Sequence, residues 1–448
     1  MGRLICLSNR IPTGANPSGG LVVALGDVLS ETGGIWIGTS GEIAEKPDTC
    51  LREIEGGPFK RFCFDLTEEE QENYYAGYSN SVLWPLFHGR TDLMEIHQDY
   101  LNTYKQVNRR IAKLIAPMIQ PDDRIWVHDF HLLPLAYELR VLGLQNPIGF
   151  FLHTPFPGPI SMQALPNGRE ICQWLSNYDL VGLQAERDVR ACLASMVEIG
   201  EGSNLGNGFI HLSPRQCRIA AFPIGIDTAE FTELAEREIA KLPSGILKPN
   251  RNLMIGVDRL DYSKGVPHRF RAFGEFLERH EEWHRHVSLL QISPPTREGV
   301  QAYDDIREET EHLSGRINGQ YADIQWAPIR FINRPIPREV LAGLYRAAQV
   351  ALVTPLMDGM NLVAKEFVAA QNPDDPGVLI LSQFAGAAEQ MTEALLVNPH
   401  DTEQMATSML TALMMSRGER RERHRALLDG LTRQDVHWWS NAFLTALG

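Results

Sequence analysis

The stretch VALVTPLMDGMNLVAKE, at residues 350–366, combines a short apolar run, a glycine turn and the start of a helix. The run at 350–353 has the length and composition of a buried strand. Gly359 permits a tight turn, and the backbone N–H groups of residues 360–363 would then lie at the positive end of a helix, where anions bind. The segment therefore predicts a strand–turn–helix unit of an α/β fold, with an anion site at its turn.

The same alternation of apolar runs and amphipathic stretches extends along the chain. Amphipathic stretches of helical length lie at 99–119, 266–284 and 337–348, and the apolar runs lie at 4–7, 125–127, 148–152, 180–183, 254–257, 287–292, 350–353 and 378–381. Buried strands that alternate with helices predict largely parallel sheets, whose ligands bind beyond the carboxyl ends of the strands. The residues that directly follow each run are therefore candidates for a functional site.

A loop rich in proline and glycine indicates a domain boundary near the middle of the chain. The segment 229–252 begins as a helix, passes through this loop, and leads into a fresh series of strands and helices. We therefore predict one Rossmann-like domain at residues 1–228 and a second at 229–430. The aromatic-rich end, residues 431–448, predicts a helix that packs back toward the first domain.

The composition is that of a folded enzyme, because 44% of the 448 residues are hydrophobic and 22% are charged. The net charge of −14 argues against nucleic acid or an anionic membrane as a partner, so an anionic substrate needs a local group of Lys and Arg. Six scattered cysteines have no metal-type spacing, which indicates reduced core thiols. With neither a signal peptide nor a spanning apolar run in the pattern, we expect a soluble, cytoplasmic protein.

Cationic side chains follow two strands of the second half. The loop DRLDYSKG, at 258–265, carries Arg259 and Lys264 before a predicted helix, and Arg297 follows the run at 287–292. Two cations on one loop suit a diphosphate whose charge must be stabilised as it leaves. The loop lacks both the Walker A spacing and GxGxxG, which disfavours a P-loop enzyme or a dehydrogenase.

Two carboxylates flank the turn of the opening stretch. Asp358 precedes Gly359, and Glu366 lies about one turn into the predicted helix, where it suits the ribose hydroxyls of a nucleotide. For each acid taken alone, a solvated carboxylate at a helix start is the better interpretation. Their coincidence with the cationic loop favours binding of a nucleotide sugar.

Polar groups also close strands in the first half. Arg10 ends the first strand before a glycine-containing loop with Gly19 and Gly20, which fits either a phosphate site or an ordinary turn. His128 and His131 alone would fit a metal site, but no third ligand with suitable spacing follows. An acid or a histidine that faces a cleft is the better functional interpretation of these strand ends.

The stretch HEEWH at 280–284 matches the zinc-protease pattern HExxH. Such a site needs the motif in the middle of a helix and a third ligand downstream. Here the motif falls at the predicted end of a helix, within a run of charges. We interpret it as a solvated surface, and a metalloprotease as the weakest functional hypothesis.

In this order, the motifs resemble the trehalose-6-phosphate synthase family of retaining glycosyltransferases. The resemblance runs from Arg3 to about the C-terminus and rests on SNR at 8–10, SNSVLWPLFH at 79–88, WVHDFHLLP at 126–134, HTPFP at 153–157, DRLDYSKG at 258–265, GRINGQY at 315–321 and DGMNLVAKE at 358–366. It implies two facing Rossmann-like domains (the GT-B fold) with the active site in the interdomain cleft. It also implies UDP-glucose as donor, glucose 6-phosphate as acceptor, and trehalose 6-phosphate and UDP as products.

The mechanism implied is front-face transfer, in which the leaving diphosphate accepts the proton of the attacking hydroxyl. No enzymic nucleophile, cofactor or essential metal is then needed, because Arg259 and Lys264 carry the charge. The implied partners are these small-molecule substrates, without nucleic acid or membrane, and a homo-oligomer is left open.

The resemblance also carries functional residues onto matching positions. The donor-binding residues implied are Gly19, Gly20, His153, Arg259, Lys264, Ile336, Asp358, Gly359, Met360, Asn361, Leu362, Val363, Ala364, Lys365 and Glu366. The acceptor-binding residues implied are Arg10, Tyr75, Trp84, Asp129 and Arg297. The catalytic residues implied are Asp129, His153, Arg259 and Lys264, and the residues implied in anomer selectivity are Trp84 and Thr154.

Four positions depart from the family pattern. Thr39 stands in place of a tryptophan, Thr154 in place of an isoleucine, Met357 in place of an arginine, and Ile336 in place of an aromatic residue. The first two lie on the acceptor side, so the alternative is a related transferase whose acceptor is another phosphorylated polyol or cyclitol. A sugar-phosphate sensor without turnover is a further alternative.

Overall fold

The computed structural model describes residues 2–12, 25–26, 28–30, 33–243, 252–297 and 301–448. The chain divides into two compact units, of which the first comprises Met1–Pro223 together with Trp439–Gly448, and the second comprises Ile224–Trp438. Each unit has its own sheet. The domain limits expected at 228/229 and 430/431 stay predictions about which parts of the chain fold independently.

The sheet of the first unit has ten described strands in the order β3-β4-β2-β1-β5-β6-β7-β10-β9-β8. Their bounds are β1 Leu4–Arg10, β2 Ile35–Ala44, β3 Arg52–Ile54, β4 Lys60–Thr67, β5 Arg124–His128, β6 Ile148–Phe151, β7 Leu180–Leu183, β8 Ser203–Gly206, β9 Phe209–Leu212 and β10 Arg215–Ala221. β1 is parallel to both β2 and β5, with Leu7 opposite Ile37 and Val127. The chain leaves β1 on one side and returns on the other, which makes the β1/β5 edge a topological switch point, the usual place of a ligand.

The helical segments of the first unit lie between these strands. Those between β4 and β5 are Glu68–Glu70, Gln71–Leu83, Trp84–Phe87, Thr91–Leu93, Gln98–Ile115 and Ala116–Met118. Those that follow β5 are Phe130–Leu132, Leu135–Val141, Pro159–Gln163, Gly168–Leu175 and Glu186–Glu198. Gln71–Leu83 is a π-helix, and it ends with the Trp84 N–H bonded to the carbonyl of Ser79, five residues earlier.

The sheet of the second unit has six described strands, all parallel, in the order β13-β12-β11-β14-β15-β16. Their bounds are β11 Asn252–Val257, β12 Val287–Ile292, β13 Ile329–Ile332, β14 Val350–Val353, β15 Val378–Ser382 and β16 Leu395–Val397. The chain runs outward from β11 to β13 and then returns to β14 on the other side of β11. The switch point of this sheet is therefore the β11/β14 edge.

Helical segments also connect the strands of the second unit. They are Thr228–Glu238, Ile239–Lys241, Tyr262–Lys264, Val266–Arg279, Glu281–Trp283, Gln301–Tyr321, Arg338–Ala347, Leu362–Ala370, Gly386–Glu389, Thr402–Met414 and Arg417–Arg433. The last helix, Val436–Leu447, begins in the second unit and ends in the first. In the part of the chain that is described, no helix is both long and apolar enough to cross a bilayer.

Aromatic side chains of the last helix complete the core of the first unit. Phe443 stacks on Trp126 with ring centroids 4.7 Å apart, and Trp439 lies 4.9 Å from the same ring. Gly149 and Gly182 make room for this contact, because a Cβ on either would lie 2.7 Å from the Phe443 ring. Burial of such rings contributes several kcal/mol, roughly 3–5 for Phe or Trp against Ala.

The fold confirms the predicted α/β class, with a parallel sheet in the second unit and a largely parallel sheet in the first, where β3/β4, β8/β9 and β9/β10 pair antiparallel. Every apolar run predicted as a strand overlaps a strand, because strands covered on both faces read as continuous apolar segments. Two helices end earlier than predicted. The helix expected to reach 119 ends at Ile115, before a 3₁₀ turn that contains Pro117, and the helix expected to reach 284 ends at Arg279.

Candidate active site

The two loops at the switch point of the second unit touch through their backbones. The Leu356 N–H donates to the Ser263 carbonyl at 2.7 Å. Gly265 has a φ of 67°, and a Cβ there would lie 2.5 Å from the Thr354 carbonyl oxygen, so a side chain would separate the loops. The loop after β11 and the loop after β14 are therefore held in direct contact.

A salt bridge joins these two loops. Lys264 Nζ donates to Asp358 Oδ2 at 2.6 Å, and Asn361 Nδ2 donates to the same oxygen at 3.1 Å. The Lys264 side chain is 9% exposed and that of Asp358 is 13% exposed, so little water screens the pair. The structure thus brings together the ammonium group and the carboxylate that the sequence assigned to a donor site.

The turn at Asp358 rests on the loop after β15. The Asp358 N–H donates to the Phe384 carbonyl at 3.1 Å, and the Gly386 N–H donates to the Asp358 carbonyl at 3.2 Å. A Cβ on Gly386 would lie 1.8 Å from the Gly359 carbonyl oxygen, so only glycine fits against this turn. This packing fixes the backbone that carries the Asp358 carboxylate.

The helix Leu362–Ala370 begins beside the salt bridge. Its N-cap, Asn361, has a φ of 77°, and no described side chain caps the helix. The first-turn N–H groups, from Leu362 to Ala364, are therefore available to an anion at the positive end of the helix. A cation and a helix N-terminus at one strand edge have the chemistry that proteins use to bind phosphate groups.

Two ionisable residues on this helix have displaced pKa values. Burial raises the pKa of Glu366 to about 7, which the charge of Arg338 opposes. Burial lowers the pKa of Lys365 to about 7. The Lys365 ammonium donates to the Ile224 carbonyl at 2.6 Å and to Gln390 Oε1 at 2.8 Å, inside the second unit. The part of Lys365 that remains for the predicted donor contact is its backbone.

The other cations predicted in this half lie on the same edge of the sheet. Arg259 is exposed on the loop after β11. Arg297 has a φ of 50°, and its Nη1 donates to Asp261 Oδ2 at 2.9 Å and to the Tyr303 hydroxyl. Arg297, which the sequence predicts as an acceptor residue, is thus held by an acid of the loop after β11. Ile336 is half-buried in the loop after β13.

In the first unit, Asp129 lies directly after β5, at the switch point. Its φ of 73° is unusual for a non-glycine residue and is fixed by bonds on both sides. Its N–H donates to the Phe151 carbonyl at 2.8 Å, and its Oδ1 accepts from the His153 N–H at 3.3 Å. The ends of β5 and β6 are thereby joined through Asp129.

His153 is paired with a second histidine that the sequence analysis left without a role. Its Nε2 lies 3.2 Å from His128 Nδ1, and its Nδ1 lies 3.5 Å from Gln184 Nε2. The amide nitrogen of Gln184 can only donate, so His153 Nδ1 accepts and its Nε2 carries the proton. Burial lowers the pKa of His153 to about 3 and lowers that of His128, so both rings are neutral at pH 7.

Arg10 ends β1 next to this edge. It lies in register with Thr39 of β2, and its guanidinium lies over Gly41, where a Cβ would come within 2.6 Å of it. Gly41 thus leaves room for the arginine side chain. Arg10, Thr39 and Asp129 therefore share one edge of the sheet, and their predicted contact with the acceptor stays a prediction.

The remaining predicted site residues of the first unit are Tyr75 and Trp84, which pack against other rings, and Thr154, which is buried. Tyr75, on the π-helix, stacks on His131 with ring centroids 5.8 Å apart. Trp84 is 5% exposed and packs on His88 with ring centroids 4.0 Å apart. Thr154 is 4% exposed, and its Oγ1 has no hydrogen-bond partner among the described residues.

Gly19 and Gly20 lie outside the described residues, so their predicted contact with the donor stays a prediction. The HExxH stretch crosses the end of the helix at Arg279 and a 3₁₀ turn at Glu281–Trp283, so its histidines do not share a helical face. His284 Nε2 bonds to the Leu277 carbonyl at 2.8 Å. Across the described residues, no group of three or more His, Cys, Asp or Glu is arranged to hold a metal ion.

Sequence reasoning missed several polar residues behind the site, namely His128, Gln184, Arg269, Gln291 and Thr354. Arg269 carried a readable signal, because it lies on the apolar face of its helix with Val266 and Phe273. A charge on that face indicates a buried partner.

Comparison with known proteins gives consistent matches. The sequence pattern that defines the family described as Glycosyltransferase family 20 matches residues 8–448 of this chain. The chain is 43% identical to the trehalose-6-phosphate synthase of Klebsiella pneumoniae, over 100% of this chain and 95% of the relative. A crystal structure of an alpha,alpha-trehalose-phosphate synthase (UDP-forming) from Burkholderia xenovorans, in complex with glucose-6-phosphate, has a TM-score of 0.95 at 43% identity and 100% coverage of both chains. A structure described as trehalose-6-phosphate from E. coli, bound with UDP-2-fluoro glucose, has a TM-score of 0.95 at 42% identity and covers 100% and 99% of the two chains.

Proposed function

The chain belongs to glycosyltransferase family 20, and from that membership we propose that it makes trehalose 6-phosphate and UDP from UDP-glucose and glucose 6-phosphate. Similarity over the whole chain to a named trehalose-6-phosphate synthase supports this reaction. The structural observation that carries the proposal is the Lys264–Asp358 salt bridge beside the start of the helix Leu362–Ala370. These groups match the two chemical parts of a nucleotide sugar, an anionic diphosphate and a hydroxylated ring.

The second unit binds the donor in this proposal. Lys264 and the exposed Arg259 contact the diphosphate, together with the N–H groups that begin the helix at Leu362. Asp358 accepts hydrogen bonds from the hydroxyls of the transferred glucose, and Glu366 accepts those of the ribose. The salt bridge to Asp358 orients the Lys264 ammonium, which reduces the cost of ordering it around the diphosphate.

The first unit binds the acceptor. Arg10 contributes positive charge for the phosphate of glucose 6-phosphate, with Arg297 from the second unit as the other cation. Asp129 accepts a hydrogen bond from the sugar, while Tyr75 and Trp84 provide flat apolar surfaces for its ring. His153 contacts the transferred glucose and stays neutral, because burial lowers its pKa to about 3.

The chemical step is a front-face transfer with retention. The bond between C1 of glucose and the diphosphate oxygen breaks, and the acceptor hydroxyl forms a new bond to C1 on the same face. The proton of that hydroxyl passes to the leaving diphosphate oxygen, so UDP departs without an enzymic base. Lys264 and Arg259 stabilise the charge that develops on this oxygen, a contribution worth about 10²–10³ in rate for one such donor.

We also propose that the enzyme needs no metal and acts in the cytoplasm. The two cations supply the charge that a divalent ion would otherwise supply to the diphosphate. All six cysteines are free thiols, as a reducing compartment favours. Full activity after treatment with a chelator supports the first statement, and activity that returns only with added Mg²⁺ contradicts it.

One specific observation favours a second acceptor. Thr154 carries an unpartnered hydroxyl where the family has isoleucine, and Thr39 lies next to Arg10 where the family has tryptophan. Both changes make the acceptor side more polar, which suits another phosphorylated polyol or cyclitol.

UDP release, measured with UDP-glucose and each acceptor in turn, tests these proposals. Release that requires glucose 6-phosphate supports the main proposal. Release with a phosphorylated cyclitol alone supports the second acceptor. Binding of UDP-glucose without release for any acceptor contradicts both and indicates a sensor.

A further inference from the structure

Arg269 is a fully buried arginine behind the switch point of the second unit, with none of its surface exposed. Its Nη1 donates to Asp258 Oδ2 at 2.8 Å and to Gln291 Oε1 at 2.7 Å. Its Nε donates to Thr354 Oγ1 at 3.1 Å. These acceptors belong to the ends of three adjacent strands, β11, β12 and β14.

Two of these acceptors begin the loops that carry the donor-site charges. Asp258 is the first residue of the loop that ends at Lys264, and Thr354 is the first residue of the segment that leads to Asp358. The loops are joined a second time by the Lys264–Asp358 salt bridge. Arg269 therefore joins the bases of both loops, and the salt bridge joins their functional ends.

The neighbouring residues leave space for the Arg269 side chain. A Cβ on Gly256 would lie 2.5 Å from Arg269 Nη1 and 2.3 Å from Gln291 Oε1, so the glycine leaves the space that the guanidinium occupies. The helix Val266–Arg279 begins directly after the loop, so Arg269 lies in its first turn, five residues after Lys264.

Stability alone does not account for this arrangement. A buried ion pair is often no more stable than an apolar replacement, because both charges lose their hydration. In addition, Arg269 Nη2 has no hydrogen-bond partner among the described residues, which costs free energy in a buried group. The geometry of the bonds, with one planar group between two loop bases, is better explained by precise placement.

We propose that Arg269 is a positioning residue for donor binding and transfer, which sets the distance between the loops of Lys264 and Asp358. This inference rests on the proposed function of those two residues. Arg269 does not touch the substrate. It acts on the diphosphate and on the glucose through the two loop bases that it holds.

The following variants distinguish an effect on the positions of the two loops from an effect on the stability of the fold. Arg269→Gln leaves Asp258 charged and buried, so it lowers the melting temperature by itself. The double variant Asp258→Asn/Arg269→Gln replaces the ion pair with neutral hydrogen-bonding groups and restores the melting temperature. Gly256→Ala crowds the guanidinium without changing a charge. Arg279→Gln, at the exposed end of the same helix, is the matched control.

We expect the double variant, although stable, to bind UDP about 10-fold more weakly and to turn over about 100-fold more slowly, since small displacements of aligned groups cost this much. The apparent KM for the acceptor stays unchanged, as does every parameter of Arg279→Gln. Arg269→Lys, which keeps the charge but loses the planar geometry, falls between the wild type and the double variant.

A stable double variant with wild-type UDP affinity and turnover overturns the inference, and so does an equal loss in Arg279→Gln. Calorimetric titration with UDP needs no turnover. The UDP affinities of the variants therefore decide the role of Arg269 even if no acceptor supports a reaction. The absence of any reaction would contradict only the proposed function.

Discussion

Lys264 Nζ lies 2.6 Å from Asp358 Oδ2, although the two residues are 94 positions apart in the chain. The contact spans the β11/β14 edge, where the order of the strands reverses. It is the point at which the cation predicted for a diphosphate meets the acid predicted for a sugar.

Replacement of the lysine tests its role in the transition state. We expect Lys264→Ala to lower kcat by about 10²–10³, because one charged donor to a developing anion is worth this much. The apparent KM for glucose 6-phosphate should change little, since the ammonium acts on the donor. Steady-state kinetics with both substrates varied measures the two effects. Lys241→Ala, which removes an exposed lysine of the same unit, is the control, and equal changes in kcat and in the acceptor KM contradict the role.

The carboxyl group of Glu366 predicts a pH dependence. Burial raises its pKa to about 7, so the ionised form, to which the proposed function assigns the ribose hydroxyls, is lost as the pH falls below about 7. The kcat/KM for UDP-glucose should therefore rise with pH through this range, and Glu366→Gln should flatten the profile. A profile of unchanged shape in the variant assigns the titration to another group.

The same shift predicts the sign of a stability change. A carboxyl group whose pKa is higher in the folded state stabilises the fold most below its unfolded pKa, and this contribution is lost as the pH rises through about 7. Glu366→Gln should therefore gain stability relative to the wild type between pH 5 and pH 8. Chemical denaturation at both pH values measures the difference, and a relative loss on going to pH 8 contradicts the assignment.

Replacement of Thr154 should change the stability of the fold without changing activity with glucose 6-phosphate. Its buried Oγ1 has no described partner, so Thr154→Val should stabilise the fold by about 1 kcal/mol. Activity with glucose 6-phosphate should persist, because the proposed acceptor does not need this hydroxyl. A strong loss of kcat/KM for the acceptor in a stable variant indicates that the hydroxyl binds it. That result contradicts the prediction.

Replacement of Phe443, in the last helix, should lower the stability of the fold without changing substrate binding. Phe443→Ala removes a ring that packs on Trp126 and on two glycine-bearing strands, so it should cost roughly 3–5 kcal/mol. Its KM values should stay those of the wild type at temperatures where the variant is folded. Thermal unfolding measures the loss. Leu396→Ala, at a 40% exposed position, is the control and should have a small effect.

The sequence was most informative where the fold is most regular. Strands such as β12 and β14 are covered on both faces and read as continuous apolar runs, so their positions and the strand-end location of Lys264 and Asp358 could be predicted. The π-helix Gln71–Leu83 could not, since its wider turn does not produce the periodicity of an α-helix.

The contacts of Arg269 could not be predicted from the sequence. A pattern that counts charged helix residues as solvated assigns it to the surface, and only the three-dimensional contact with Asp258, Gln291 and Thr354 reveals why it is buried. The His128–His153 pair was missed for a similar reason. Adjacent strands bring together residues 25 positions apart, and their tautomers depend on that contact.

The identity and stereochemistry of the product test the central claim most directly. Purified protein is incubated with UDP-glucose and glucose 6-phosphate, and the product is analysed by NMR and mass spectrometry. We expect trehalose 6-phosphate with both anomeric centres in the α configuration, formed in equal amount to UDP. A β-linked product, or UDP release accompanied by free glucose without a disaccharide phosphate, would contradict retention and transfer to this acceptor.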